Sequence, residues 1–225
     1  MQTFKTSKAR ENILSRIRKG LGEAKLPMPF PEVEKEQQQL YTTTDGLEEV
    51  FAEAFIKLGG KFVFCDNEKE LIDSINLLHA DREWTHMLCA DDRIRNKFVQ
   101  AGLDIAEPAE PYQEGADACI TGCEMLVART GSILFSANQP LGRTAPVFYP
   151  VHLVVVYADQ LAGDIDEAFA LMKKKYGDNL PSMMNLNTGP SRTADIEKTL
   201  VVGVHGPAEV FCFFVNVESG TFYRR

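Results

Sequence analysis

The sequence predicts an α/β fold with three layers and a mostly parallel sheet. Along most of the chain, segments with helical periodicity alternate with short, strongly apolar segments, which is the pattern of α/β proteins. Residues 151–156 and 210–215 are apolar at nearly every position, as expected of central strands buried on both faces. With 225 residues the chain is long enough to bury a full hydrophobic core.

The predicted elements follow one another in order. We predict helices over residues 47–58, 68–78, 92–101 and 164–176, and strands over residues 61–65, 86–90, 118–121, 133–135, 151–156 and 210–215. Gly59 and Gly60 end the first of these helices, and Gly177 ends the last. Two more helices are predicted, one short and apolar around Glu124 and one that begins at Ser191.

Residues 1–31 are predicted to form a basic helical arm and a proline-rich linker, and residues 32–225 form the main domain. The arm has apolar positions at helical spacing, with a basic face opposite: Ile13, Leu14, Ile17 and Leu21. Residues 1–25 carry seven basic and two acidic side chains, whereas the whole chain carries a net charge of −8. We therefore expect the arm to dock on the acidic body or on a neighbouring subunit of a homo-oligomer.

Composition and motifs exclude several classes of protein. The net negative charge argues against general nucleic-acid binding, and no apolar run reaches the roughly 18 residues of a membrane span. Five scattered cysteines without a C-x-x-C motif indicate reduced, buried thiols in a cytoplasmic protein, so no metal site is predicted. The basic N-terminal segment has no apolar h-region, so we expect no secretory signal, and the sequence shows no Walker loop, G-x-G-x-x-G motif or Ser-His-Asp order.

The segment from Gly189 to Glu197 has the pattern of a helix start after a Gly-Pro pair. Ser191, Arg192 and Thr193 would combine hydroxyls, a guanidinium and free backbone N–H groups, which suit a phosphate or a carboxylate. The alternative is a well-capped helix in which Arg192 pairs with Asp195 or Glu197.

Two further glycine turns, Thr130-Gly131-Ser132 and Gly203-Val204-His205-Gly206, could let a ligand approach the backbone closely. We predict that the three segments form one anion pocket, although each could equally be a tight turn. His205 is a candidate general acid or base, or a side chain that stabilises its own turn. Glu124 could reach the edge of such a pocket.

These segments resemble the signatures of the LUD-domain proteins. Residues 121–132 are similar to the family's T-G-A-E-x-x-I-A-x-T-G-T stretch, and residues 189–197 and 203–207 are similar to its two C-terminal signatures. The chain length and the basic N-terminal helix resemble the lactate-utilisation protein C branch. The resemblance implies the NagB/RpiA/CoA-transferase-like fold, which ribose-phosphate isomerases, glucosamine-phosphate deaminases and CoA transferases share.

The resemblance also implies a function. We expect a cytoplasmic component of a bacterial system that oxidises L-lactate to pyruvate together with iron–sulfur partner proteins. No cofactor is expected in this chain itself, so it would supply a carboxylate pocket, a scaffold, or both. The alternatives are a stand-alone isomerase, transferase or cyclo-ligase acting on a phosphorylated or CoA-linked substrate, and a protein that acts only through interactions. By analogy with enzymes of this fold, Glu124 or Asp195 would be the catalytic carboxylate.

Overall fold

The computed structural model describes residues 8–23, 46–109, 115–196 and 199–218. The chain divides into two units, Met1–Thr44 and Asp45–Arg225, whereas the sequence analysis placed the boundary after residue 31. In the first unit, α1 (Lys8–Glu23) confirms the predicted N-terminal helix, and both Ile13 and Ile17 on it are exposed. The predicted linker lies outside the described residues. None of the described helices is long and apolar enough to cross a membrane.

The second unit contains a central sheet of six parallel strands. Its strands are β1 (Lys61–Cys65), β2 (Met87–Cys89), β3 (Ile105–Ala106), β4 (Ala118–Thr121), β7 (Val151–Tyr157) and β12 (Glu209–Val215). Their order across the sheet is β1-β12-β7-β4-β2-β3. The helices around it are α2 (Leu47–Lys57), α3 (Glu68–Asp81), α4 (Asp92–Gln100), α5 (Ala145–Phe148) and α6 (Ile165–Tyr176). This mostly parallel α/β architecture confirms the predicted fold class.

A second, smaller sheet was not predicted. It contains β5 (Met125–Val127), β6 (Ser132–Ser136), β8 (Leu161–Ala162) and β9 (Met184–Asn187), in the order β8-β5-β6-β9. A separate hairpin pairs β10 (Arg192–Ile196) with β11 (Thr199–Val202). The small sheet covers one face of the central sheet, and α6 packs behind it.

Alternate residues of the central strands point into two different cores. On β7, Leu153 and Val155 pack with α3 and α4, whereas Val154 and Val156 pack with α2 and the small sheet. Successive side chains of a strand point to opposite faces, so an entirely apolar strand supplies both cores. The long apolar runs therefore became the centre of the sheet, as their composition predicts.

The helix predicted around Glu124 is wrong. The residues after it form β5, which pairs antiparallel with β6 across the turn at Gly131, with Leu126 opposite Ile133. Both strands are buried on both faces, so they lack the period of two that marks a half-exposed strand. A short apolar run of this kind cannot be assigned to helix or strand from periodicity alone.

The helix predicted from Ser191 is also wrong, because this segment continues into the hairpin strand β10. Arg192 pairs with Val202, and Thr193 pairs with Val201. The β-branched residues of the two strands favour extended backbone, and they outweigh a pattern that resembles a helix cap. Consequently, no helix N-terminus presents free N–H groups at Ser191, Arg192 and Thr193.

Candidate functional site

A cavity of about 790 Å³ lies at the carboxyl edge of the central sheet. Strands β2, β4 and β7 end there, and the segments that follow them supply Asp91, Glu124 and Gln160 to its wall. Open α/β sheets bind their ligands at this edge. The other lining residues are Arg93, Ile94, Lys97, Gly122, Cys123, Asn138, Gln139, Pro140, Val155, Tyr157, Lys174, Lys175 and Tyr176.

Glu124 is a buried carboxylate in this wall, with 1% of its surface exposed. Its Oε1 accepts hydrogen bonds from Ser136 Oγ at 2.5 Å and from Tyr176 OH at 2.8 Å, and its Oε2 accepts one from Lys175 Nζ at 2.8 Å. We call these four residues the Glu124 cluster. A buried charge is tolerated when it is paired and hydrogen-bonded, as this one is. The cluster therefore joins the end of β6 to the end of α6.

The backbone around Glu124 is held by its neighbours in the two sheets. Glu124 N donates to Leu134 O at 2.8 Å. The buried amide of Gln160 donates from Nε2 to Cys123 O at 2.6 Å, while its Oε1 accepts from Tyr157 N at 3.0 Å. Gln160 thus connects the end of β7 to the segment before Glu124, so the carboxylate has one defined position beside the cavity.

Burial sets the protonation of the groups beside Glu124. Burial, together with the negative charge of Glu124, raises the pKa of Tyr176 to about 12. The phenol is therefore protonated at neutral pH, and it donates a hydrogen bond to the carboxylate. Burial also raises the pKa of the Cys123 thiol, which stays protonated. The Lys175 side chain is 26% exposed and lines the cavity.

Another part of the wall is formed by the start of α4 and the end of β7. Asp91 caps α4 by accepting from Arg93 N, and it also holds the Arg93 guanidinium through Nε at 3.2 Å and Nη2 at 2.9 Å. One turn further along, Lys97 pairs with Glu68 and donates to Tyr157 OH at 3.0 Å. This wall is therefore polar and held by ion pairs.

The charges of the lining suit an anionic ligand. Four basic side chains, Arg93, Lys97, Lys174 and Lys175, line the cavity together with two acidic ones, Asp91 and Glu124. Glu68 forms an ion pair with Lys97 and neutralises its charge, so the lining side chains together carry a small excess of positive charge. The whole chain carries a net charge of −8, so the charge of the cavity lining is opposite in sign to that of the chain.

Of the predicted site residues, Glu124 lines the cavity and the others lie elsewhere. The turn of Thr130, Gly131 and Ser132 packs on α2, where a Cβ added to Gly131 would lie 2.6 Å from Phe55 N. Ser132 Oγ is 2.8 Å from Thr188 Oγ1. Gly131 is thus required for close packing of the turn on the helix backbone.

The other two predicted segments meet each other and the same helix. Gly203 N donates to Ser191 O at 2.9 Å, and a Cβ added to Gly206 would lie 3.0 Å from Ser191 Cβ. A Cβ added to Gly189 would lie 2.8 Å from Leu58 O. We call residues 129–132, 188–193 and 203–206, which meet around α2, the glycine-turn region. Its glycines bring backbone segments together.

Arg192 lies at the carboxyl end of α2, where its Nη2 donates to Leu58 O. A cation there stabilises the negative end of the helix dipole and satisfies a terminal carbonyl. The predicted anion site required the opposite, positive end of a helix, so the physical argument for it does not hold. The alternative partners, Asp195 and Glu197, have side chains outside the described residues.

His205, the predicted acid or base, and His152 of β7 differ in their surroundings. His205 is exposed in its turn, away from the cavity. His152, by contrast, is buried on β7 with its Nε2 2.8 Å from Thr121 Oγ1, and burial lowers its pKa to about 3. His152 is therefore a neutral core side chain. Among the described residues, no group of three or more His, Cys, Asp or Glu side chains is arranged to hold a metal ion.

The sequence analysis missed most of the cavity lining, in particular Asp91, Arg93, Lys175 and Tyr176, and it also missed Ser136 of the Glu124 cluster. One signal could have found some of them, since residues directly after predicted parallel strands meet at the carboxyl edge of the sheet. Asp91 follows β2 in this way. By contrast, Lys175 and Tyr176 come from the last turn of a helix, and no local pattern marks them.

Comparison with known proteins agrees with this fold. The LUD domain family model matches residues 47–215. Lactate utilization protein C of Macrococcus caseolyticus is 30% identical over 179 residues, which is 78% of this chain and 70% of that protein. Proteins of the same name from Bacillus licheniformis and Bacillus subtilis are 35% and 30% identical over 98 and 105 residues. These two matches cover 43% and 46% of this chain, and 41% and 44% of the relatives' own length.

A crystal structure of a DUF162 family protein from Deinococcus radiodurans is similar to this chain with a TM-score of 0.57. The sequence identity is 20%, and the superposition covers 76% of this chain and 96% of that one. This likeness concerns the fold. The family model covers most of the chain and the Macrococcus caseolyticus protein matches over more than two thirds of both lengths, so the chain belongs to the LUD domain family.

Proposed function

We propose that this chain takes part in bacterial lactate utilisation, and that it binds the carboxylate of a small organic acid such as L-lactate in the cavity at the carboxyl edge. Iron–sulfur partner proteins would carry the electrons. The names of the relatives support the metabolic role. The size, position and charge of the cavity support the binding of an anion.

The Glu124 cluster is the observation that carries the proposal. Glu124 holds the Lys175 ammonium and the Tyr176 phenol in fixed positions at the cavity wall. A substrate carboxylate would accept from Lys175. Because the O–H group of Tyr176 already donates a hydrogen bond to Glu124, the phenol oxygen would accept a hydrogen bond from the hydroxyl group of a 2-hydroxy acid. A charged and a neutral group placed side by side thus match the two functional groups of lactate.

In this proposal Glu124 orients the two neighbouring side chains. A carboxylate that attacks a substrate needs an oxygen able to approach the reacting carbon. Both oxygens of Glu124 already accept hydrogen bonds from protein donors, and 1% of the residue surface is exposed. These contacts favour a binding role over the alternative, in which Glu124 is the nucleophile of a stand-alone transferase.

Binding is tested with two lysines of the same helix. Lys175→Met should weaken L-lactate binding, measured by titration calorimetry, by about tenfold or more, since one charge-assisted hydrogen bond contributes roughly 1.5–3 kcal/mol. Lys173→Met is the matched control, since Lys173 does not line the cavity. Equal affinities in the two variants, or the absence of L-lactate binding in the unmodified protein, would contradict the proposed site.

A separate experiment tests whether this chain or its partner proteins carry out the redox chemistry. We propose that the chain works in the reducing cytoplasm, where its five free, buried cysteines stay as thiols. The purified chain should not oxidise L-lactate with an artificial electron acceptor, and turnover should require the iron–sulfur partners. Turnover by the purified chain alone would show that the redox chemistry resides in this protein.

A further inference from the structure

The cavity is much larger than a three-carbon acid. L-Lactate has six non-hydrogen atoms and occupies roughly the space of four or five water molecules, on the order of 150 Å³. The cavity measures about 790 Å³, which lies in the range of sites for ligands several times larger. A small acid held by the Glu124 cluster would therefore leave most of this volume to another molecule.

The wall formed by α4 contains an arginine that is held in place and still has donors to offer. Asp91, whose side chain is 11% exposed, binds the Arg93 guanidinium through two of its five N–H groups. The other three N–H groups have no acceptor among the residues that the structure describes. The Arg93 side chain is 71% exposed and lines the cavity. Because the guanidinium is already oriented, less side-chain entropy is lost when a ligand binds.

The three remaining donors favour phosphate over carboxylate at this position. Phosphate monoesters present three terminal acceptor oxygens, whereas a carboxylate presents two. Asp91 offsets part of the arginine charge, so recognition here depends on the number and direction of hydrogen bonds more than on net charge. Tyr157 lies in the same wall region and offers aromatic surface to the organic part of a ligand.

We propose that the α4 wall of the cavity is a second subsite, which binds an organic phosphate of about nucleotide size through Arg93. This second subsite rests on the proposed function only because the small acid is assigned to the Glu124 cluster. The two ligands would occupy the cavity together, with the phosphate at the start of α4 and the acid at the end of α6.

Titration calorimetry with adenosine diphosphate, inorganic phosphate and L-lactate tests the subsite. The unmodified protein should bind adenosine diphosphate more tightly than inorganic phosphate, because Tyr157 offers aromatic surface to the organic part. Arg93→Gln should weaken the binding of adenosine diphosphate by roughly ten- to a hundredfold. Arg95→Gln is the matched control on the same helix, since Arg95 pairs with Asp92 and Glu107 and does not line the cavity.

Simultaneous binding is the second part of the test. The affinity for adenosine diphosphate should change less than twofold at saturating L-lactate, and Lys175→Met should weaken L-lactate more than adenosine diphosphate. The subsite is overturned if neither phosphate probe binds, if Arg93→Gln and Arg95→Gln behave alike, or if L-lactate displaces adenosine diphosphate. If only L-lactate fails to bind, the proposed function is wrong and the phosphate subsite stands.

Discussion

The glycine-turn region and the cavity contain similar polar residues but use them differently. In the glycine-turn region, Ser132, Gly203 and Arg192 make hydrogen bonds to Thr188, to Ser191 and to the end of α2, whereas the buried Thr130 Oγ1 has no partner among the described residues. In the cavity, Arg93 and Lys175 are fixed by carboxylates and still face open space. The difference shows that the same residue types can hold backbone segments together or line a cavity, so residue types alone do not identify a binding site.

The largest effect is expected from removing the Glu124 carboxylate. Glu124→Ala leaves the Lys175 ammonium and two hydroxyls without their acceptor, so the free energy of unfolding should fall by about 3–5 kcal/mol. Glu124→Gln keeps the shape and one acceptor oxygen and should cost about 1–2 kcal/mol. Urea denaturation of both variants measures the difference. Equal, small losses would mean that the cluster is solvated and that the proposed contrast between the regions is wrong.

Gly131→Ala tests the packing role of the glycine-turn region. The new Cβ would lie 2.6 Å from Phe55 N at a residue with φ +60°, so we expect a loss of about 2–4 kcal/mol of stability. Gly102→Ala is the control, because its φ is +91° and no atom lies within 4 Å of the added Cβ, so it should cost about 1 kcal/mol. L-Lactate affinity, measured on the folded variants, should be unchanged. A specific loss of affinity in Gly131→Ala would instead place the ligand at this turn.

An alkaline titration sharpens the description of the Glu124 cluster. The pKa of Tyr176 is raised from 10.0 to about 12 by burial and by Glu124, so the folded state keeps a proton that the unfolded state loses. This contribution to stability is complete below pH 10 and is lost as the pH rises from 10 to 12. Tyr176→Phe should lose about 1–2 kcal/mol at neutral pH and should show a smaller decline in this window. Denaturation experiments at each pH measure the stability of both proteins. The same decline in the variant and in the unmodified protein would contradict the buried hydrogen bond.

The smallest effect is expected at Arg192. Arg192→Ala removes a hydrogen bond to Leu58 O and a cation from the end of α2, so stability should fall by about 1 kcal/mol. Arg192→Lys should retain part of this, because the ammonium keeps the charge. L-Lactate affinity should be the same in all three proteins. A tenfold loss of affinity in Arg192→Ala would restore the glycine-turn region as the binding site.

Most helices and strands could be predicted from local patterns, and the exceptions have a common cause. The sequence analysis assigned helix to residues 125–127 and to the segment after Ser191, and both are strands of antiparallel hairpins. Their pairing partners, β6 and β11, are what stabilise the extended backbone. Helix caps and short apolar runs are local signals, whereas strand pairing depends on a second segment that a local pattern does not identify.

The amino-acid sequence by itself determined the alternation of helices with apolar strands and the basic N-terminal helix. These follow from side-chain volume, polarity and periodicity, which act over a few residues. Only the tertiary structure decided that Glu124 meets Ser136, Lys175 and Tyr176, and that Arg192 binds the end of α2. Those contacts join residues 12 to 134 positions apart, and whether a polar group faces a cavity or a neighbouring backbone depends on how distant segments pack.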